Sequence, residues 1–375
     1  MKYPFLTELP TARQVVEIFK GYNHNLRIGG GEVYDMTNLS SDNYPVLSPR
    51  SQRGVYATSK NPQGLIAKDA LCYVDCIVED HAEGARFYIN ENEVVGLTLS
   101  SRAEDCPKTL VSMGAYVIIL PDKKWVNTQP KEGEAAYGNI EASVTTPEGQ
   151  TVTMKVCKAD GSEYTGGEVG ETEPVNPTGG MYWFDTSTTP PTIKQYSAAS
   201  SMWTSVASCY AKIQSSGIGA PFEVGDGVNI SGITSEQNKD LNGDMVIHAK
   251  GDGYIVVTGF AYDDFQETSV TVKRQMPLMD FVIESGNRLW GCRYGTDAYG
   301  KCVNEIYASA LNDPKNWHRF LGVSTDSFSA SIGCGGAFTG AVCMDGNPVF
   351  FKEDCIIKVH GSYPSEFTVT ETAQR

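Results

Sequence analysis

TGAVCMDGNPVFFKEDCIIKVHG (residues 339–361) consists of three apolar runs separated by a glycine turn and a charged turn. Valine, isoleucine and phenylalanine suit a pleated, half-buried strand, and Asp345-Gly346 suits a tight hairpin, so the stretch reads as an antiparallel meander. The same organisation stands at TLVSMGAYVIILPDKKWVNT (109–128) and at DFVIESGNRLWGCRYG (280–295). MGAYVIILPDKKWV and DGNPVFFKEDCIIKV match best. Residues 65–99 read as a further copy with an irregular first turn, and EIYASALNDPKNWHRF (305–320) as the outer part of another. A repeated antiparallel unit of roughly 40–50 residues predicts an all-β fold of β-propeller-like blades, each burying its faces against neighbours. A β-sandwich of meander hairpins is the alternative. The best helical candidate is ARQVVEIFK (12–20), which is also rich in β-branched residues.

Between 143 and 275 the texture changes. Residues 158–180 are rich in Gly, Glu, Thr and Pro and read as a loop or linker. MYWFDTSTTPPTIKQYSAASSMWTSV (181–206) reads as a small aromatic hairpin, and 220–259, broken by GDG, NGD and GDG, as a small β-barrel. The blade pattern stops before this region and resumes after it, which predicts an inserted β-domain. The expected organisation is therefore 1–142 for an N-terminal segment and first blades, 143–275 for the insertion and 276–375 for further blades.

The chain has 375 residues, with 30 basic against 45 acidic side chains and a net charge of −15. The excess is spread along the body, for residues 1–60 carry +2 while 61–142, 143–275 and 276–375 carry −6, −8 and −3. Such a surface repels phosphate backbones, which excludes a broad nucleic-acid interface and suits a particle wall past which DNA slides. No apolar run approaches the ~20 residues that span a bilayer. The N-terminus lacks the unbroken apolar stretch of a signal peptide. Ten cysteines are too sparse for a disulfide-stapled domain, and several sit in apolar runs as small hydrophobes, so all are expected to be reduced thiols. The C-x3-C pair Cys72 and Cys76 lacks the second pair that a zinc site needs.

Motifs that imitate chemistry fail on their chemistry. GTDAYGKC (295–302) resembles a phosphate loop but ends in Cys302, a soft sulfur where magnesium needs a hydroxyl. KDLNGDM (239–245) starts like a calcium loop but has Met245 at its sixth ligand-loop position, counted from Asp240, and Gly251 at its twelfth. The five histidines are scattered, and adjacent carboxylates such as Asp263–Asp264 point to opposite faces of a strand. No catalytic residue, metal ligand or cofactor is expected. Tyr182, Trp183 and Trp203 form a candidate glycan-stacking set, and are equally what a small insert needs as core.

GGGEVYDMTNLSSDNYPVLSPRSQRG, within residues 19–56, resembles the opening of a family of tailed-bacteriophage structural proteins, through Gly31, Glu32, Tyr34, Asp35, Met36, Asn38, Leu39, Ser40, Tyr44, Pro45, Leu47, Pro49 and Arg50. EIYASALNDPKNW (305–317), residues 345–372 and GAYVIILPDKKWVNT (114–128) resemble the same group. The resemblance implies a non-enzymatic virion component: a tail tubular, nozzle or hub protein, or a portal-proximal DNA-stabilisation protein, with propeller blades. It implies a homo-oligomeric ring around the DNA channel, contacts with other tail, adaptor or portal proteins, and no membrane insertion. The protein would be made in the host cytoplasm and reside in the tail. Tyr44, Arg50 and Arg53 are the expected assembly contacts. A receptor- or glycan-binding tail protein, or a glycan-hydrolysing propeller, is the competing class.

Overall fold

A computed structural model describes residues 17–44, 46–54, 67–71, 76–81, 84–100, 108–164, 166–296 and 300–373. The expectation of a helix over 12–20 lies mostly outside them, as do Cys72 of the C-x3-C pair and the centre of GTDAYGKC. Met1–Thr58 and Ser59–Arg375 form two compact units.

The first unit is extended chain pinned by polar contacts. Strands β1 (Gly21–Tyr22) and β2 (Glu32–Val33) pair in parallel, and β3 (Leu39–Ser40) pairs antiparallel with β4 (Ser48–Pro49). The Glu32 carboxylate accepts hydrogen bonds from the Asn23 amide and the Gly29 backbone N–H, both at 2.7 Å, which hold its pKa below the usual glutamate value. Gly31 has φ +90°, and a Cβ there would stand 2.7 Å from the Ile18 carbonyl oxygen, so the glycine run carries a geometric requirement.

The second unit begins with two four-stranded antiparallel sheets. One comprises β5 (Ala67–Leu71), β6 (Cys76–His81), β7 (Gly84–Ile89) and β8 (Asn92–Glu93). The next comprises β9 (Thr109–Met113), β10 (Tyr116–Leu120), β11 (Lys124–Asn127) and β12 (Tyr137–Asn139). The chain then enters the middle region through β13 (Ala142–Thr145) and β14 (Val152–Cys157). A third four-stranded sheet follows, made of β15 (Gly167–Gly170), β16 (Tyr182–Asp185), β17 (Thr192–Ser197) and β18 (Met202–Ser205). The expected linker thus contains a strand, because Gly167–Gly170 pairs in parallel with Tyr182–Asp185.

Strands β19 (Tyr210–Gln214), β20 (Gly227–Ser231), β21 (Gly243–Gly251), β22 (Tyr254–Thr258), β23 (Asp264–Gln266) and β24 (Thr271–Arg274) complete a sheet of order β13-β24-β20-β21-β22-β19-β14-β23. Strand β21 pairs with β20 over its first half and with β22 over its second, with a register shift between Ile247 and Ala249. The bulge bends the strand, so the sheet folds over as two layers around one core. That core sets Val152, Met154, Ile213, Ile255 and Val257 against Val228, Ile230 and Val272. The expected small barrel is overturned, because β13 and β23 remain open edges.

Two more meander sheets close the chain, β25 (Phe281–Ser285), β26 (Arg288–Thr296), β27 (Cys302–Ala308) and β28 (Phe328–Ser331), then β29 (Phe338–Met344), β30 (Asn347–Lys352), β31 (Cys355–His360) and β32 (Thr368–Ala373). Residues 302–308 are the third strand of the 281–331 sheet, not the outer part of a separate blade. The GTDAYGKC stretch joins β26 to β27, whose pairing runs out to Thr296 opposite Cys302.

The meander sheets stack in chain order, and the side-chain alternation of each strand says how. Val117 and Ile119 of β10 pack against Phe87, Leu97 and Leu99, while Ile118 packs the other way, against Leu289 and Trp317. Trp290 and Cys292 of β26 meet Phe350, Ile357 and Val359 of the last sheet. The fold is all-β with several antiparallel sheets, but no sheet is curled into a propeller or closed into a barrel. No core cluster among the described residues joins the 338–373 sheet back to the 67–93 sheet. The expected propeller is therefore corrected to an open stack. Burial on both faces produces the same apolar runs in either arrangement.

A second correction concerns the cysteines. Cys334 and Cys355 are joined by a disulfide that ties the loop after β28 to β31. Cys157 and Cys292 are buried thiols, and burial pushes them up to about 11 and about 12 respectively.

The sandwich is locked to the stack by one buried polar network. Arg274 pairs with Asp226 and donates from Nε to the Ile140 carbonyl at 2.9 Å. Asn316 donates to Asp226 at 3.1 Å and accepts the Gly227 N–H at 2.8 Å. Arg274, Asp226 and Asn316 are 5%, 2% and 1% exposed, so removing one partner strands a charge out of water. Arg274→Ala is expected to lower unfolding free energy by about 3–5 kcal/mol, read by urea denaturation. Reduction of the Cys334–Cys355 bridge is expected to cost about 3 kcal/mol, from the loop it closes, and to release two thiols in a denatured thiol titration.

Candidate functional site

The three aromatic residues singled out for glycan stacking do not share a face. Successive residues of β16 point to opposite sides, so Trp183 and Tyr182 part company. Trp183 packs edge-on to Trp203 at 5.7 Å, Trp203 lies 5.3 Å from Tyr196, and the Lys194 amine sits 4.5 Å over the Trp183 ring. Trp183 is buried and gives its indole N–H to the Gly170 carbonyl at 3.0 Å. The pair forms the mini-core of the 167–205 sheet.

Tyr182 faces the other way, toward Tyr164 at 4.7 Å. The ladder continues from Tyr164 to Phe184 at 5.7 Å, from Phe184 to Phe260 at 6.5 Å and from Phe260 to Tyr262 at 5.1 Å. Tyr164, Phe184, Phe260 and Tyr262 line a cleft of about 430 Å³ where the 167–205 sheet meets the sandwich. A second hollow of about 400 Å³ is lined by Tyr182 and Tyr210 and has Tyr164 in common with the first.

Local sequence explains the placement. Asp160 accepts the Ser162 N–H at 2.9 Å and its hydroxyl at 2.6 Å, making an Asx turn that folds the chain back beside β14 and sets Tyr164 against the sheet. Gly167 admits the edge strand, because a Cβ there would stand 2.3 Å from the Phe184 ring. Phe260 and Tyr262 come from the turn after β22, held by Asn238, which donates to the Tyr262 carbonyl at 3.1 Å and accepts its N–H at 2.8 Å.

The rim is polar. Lys155, Glu163, Gln237 and Asp263 line the cleft. Lys155 and Asp263 are exposed and 3.9 Å apart, a contact worth little in water. Burial, then the neighbouring Cys209 and Tyr182, push the Tyr164 phenol up to about 12, so it is a neutral donor and acceptor at any physiological pH. This arrangement can bind and orient a ligand. Sequence reading reached Tyr182, which lines the second hollow, and the MYWF run that holds Phe184, but not Tyr164, Phe260 and Tyr262, which come from other segments.

The residues expected to make assembly contacts belong to the first unit. Tyr44, Arg50 and Arg53 are exposed in the first unit, and neither arginine side chain has a partner among the described residues. The Arg50 backbone N–H bonds the Asn38 carbonyl at 2.9 Å, which fixes where its side chain departs. Tyr22, Leu26, Ile28, Tyr34 and Val46 of the same unit are also exposed. The Cys334–Cys355 bridge lies beside Glu371, whose carboxylate accepts the Gly333 and Cys334 N–H groups at 2.7 and 2.9 Å. With both sulfurs in the disulfide, that cluster offers a metal no thiolate.

No family model and no curated protein matches the chain, so the likeness to phage structural proteins rests on the residues quoted above.

Asp185 anchors the mini-core beneath the cleft. Burial raises its pKa, but hydrogen bonds from Lys194 at 2.6 Å and from the Ser187 hydroxyl and N–H outweigh that and hold it below the ordinary 3.8. The carboxylate therefore stabilises the fold at neutral pH, and that contribution is lost as pH falls below 3.8 through its lower folded value. Tryptophan fluorescence in an acid titration should show this step. Asp185→Asn should blunt it and cost about 1–3 kcal/mol at pH 7.

Proposed function

We propose that the chain is a non-enzymatic structural component of a tailed-phage particle, which assembles onto neighbouring virion proteins through its N-terminal unit. The observation that carries this reading is the character of residues 17–54. They hold a fixed extended path through Glu32, Asn23 and Asn38, yet keep Leu26, Tyr34, Tyr44 and Val46 in water. A segment that is held by polar contacts and exposes several large apolar groups offers surface that a partner can bury. Arg50 and Arg53 supply planar, bidentate donors for carboxylates at the rim of such a contact. This is also the stretch that resembles phage structural proteins.

The open stack suits a mechanical role. Its inner sheets bury both faces, which makes a rigid core. The net charge of −15 keeps it from adhering to packaged nucleic acid.

The test is assembly of the full-length protein. Light scattering and negative-stain imaging, alone and with structural proteins encoded beside it, should reveal higher-order species. Leu26→Glu with Tyr44→Glu should abolish them while leaving the urea midpoint unchanged, because both side chains are exposed. A monomer that ignores every such partner overturns the reading.

A further inference from the structure

We propose that the cleft between the 167–205 sheet and the sandwich binds a neutral oligosaccharide, with Tyr164 and Tyr262 as its stacking surfaces. This goes beyond the assembly role and rests on different residues.

Three observations converge on that ligand class. The first is the alternation of surface along one concavity. Half-buried Tyr164, Phe260 and Tyr262 offer apolar ring area, and the Tyr164 and Tyr262 hydroxyls have no hydrogen-bond partner among the described residues. A pyranose matches this chemistry, since it has a C–H face that packs on an aromatic ring and an edge of hydroxyls that both donate and accept. An all-apolar ligand would strand the polar rim, and a small ion would leave the rings unused.

The second is charge. Lys155 stands with Asp263 at the cleft, and Lys158, 5.8 Å over the Tyr164 ring, balances Glu163. The charged residues that line the cleft and the second hollow sum to zero in a chain that is otherwise strongly acidic. A phosphorylated or sulfated ligand would meet no net attraction there, nor would a polycation. Hydroxyls, by contrast, are served by carboxylate, amide, amine and phenol together.

The third is extent. The cleft and the second hollow measure about 430 and 400 Å³ and both have Tyr164 in their linings. Each lies within the roughly 300–1,000 Å³ of small-molecule sites, and two hollows adjoining at Tyr164 suit consecutive sugar units rather than a single compact molecule.

The experiment uses the full-length protein on a printed array of neutral hexose and N-acetylhexosamine oligosaccharides, beside sialylated and sulfated ones and a set of extended peptides. Hits are measured by calorimetry. Binding to neutral oligosaccharides is expected, with affinity rising from disaccharide to tetrasaccharide. Tyr262→Ala and Gln237→Ala should each weaken it about tenfold or more, with thermal unfolding unchanged; Trp203→Ala, in the opposite mini-core, should leave affinity intact if the variant folds. Tyr164→Phe keeps the ring and should lose only the hydroxyl's share. The proposal is overturned by no neutral binder at millimolar concentration, by preference for anionic sugars or peptides, or by binding that survives Tyr262→Ala and Gln237→Ala together.

Discussion

Arg274 holds the molecule's two architectures together. Its guanidinium reaches Asp226 within the sandwich and the carbonyl of Ile140 at the end of the 109–139 sheet, while Asn316 from the 281–331 sheet's long loop completes the cluster on Asp226. Three segments far apart in sequence are thus tied by charge-assisted hydrogen bonds in a place closed to water, where strong interaction and heavy penalty for a missing partner go together. The backbone comes very close here: a Cβ on Gly227 would stand 2.4 Å from the His318 carbonyl oxygen. Beside it the chain enters and leaves the sandwich through paired strands, Ala142 opposite Arg274, and Glu141 takes both the Lys123 amine at 2.6 Å and the Met276 N–H at 3.2 Å. A domain attached at two adjacent points and braced at a third cannot swing freely. The cleft it shares with the 167–205 sheet inherits that steadiness.

Individual hairpins were legible in the sequence because their signals are local. YVIIL, the PDKK turn and KWVN appear as strands at 116–120 and 124–127, and PVFFK with CIIKV pair across the turn at 353–354. What the stack does at its ends was not legible. A strand apolar at every position, such as Val117-Ile118-Ile119, announces burial on both sides and says nothing about whether the series closes on itself. The strand at 167–170 escaped notice for another reason: GEVG has almost no side-chain signal, and its pairing with 182–185 is set by the steric fit of Gly167 on Phe184.

The cysteines show how context decides chemistry. Cys355 lies in a run, CIIKV, where a small hydrophobe is an ordinary occupant, and Cys334 lies in a glycine-rich loop. Only the packing of β31 against that loop, with Asn304 donating to the Ile332 and Cys334 carbonyls at 2.8 Å and Lys352 donating to the Cys334 carbonyl at 2.8 Å, brings the two sulfurs together. The candidate cleft is hidden in the same way. Its aromatic residues occupy an Asx-turn exit, a strand and a post-strand turn, each unremarkable alone. The MYWF run did point to the right sheet, but alternation splits it, sending Trp183 to the mini-core and Tyr182 to the second hollow.

The same physics assigns different tasks to different parts. Burial on two faces makes the meander stack stiff and leaves little freedom for a binding surface within it. Loops that leave the sandwich and the small sheet are where the proposed cleft lies, since half-exposed rings and unpaired hydroxyls can be tolerated there without cost to a core. The N-terminal unit follows a third logic. Its path is fixed by Glu32, Asn23, Asn38 and the positive φ of Gly31, so the ordering entropy that a flexible arm loses on docking has largely been spent in folding. An exposed apolar group on a preorganised backbone contributes more of its burial to affinity than the same group on a loose chain, so the assembly proposed for this unit does not need a large hydrophobic surface.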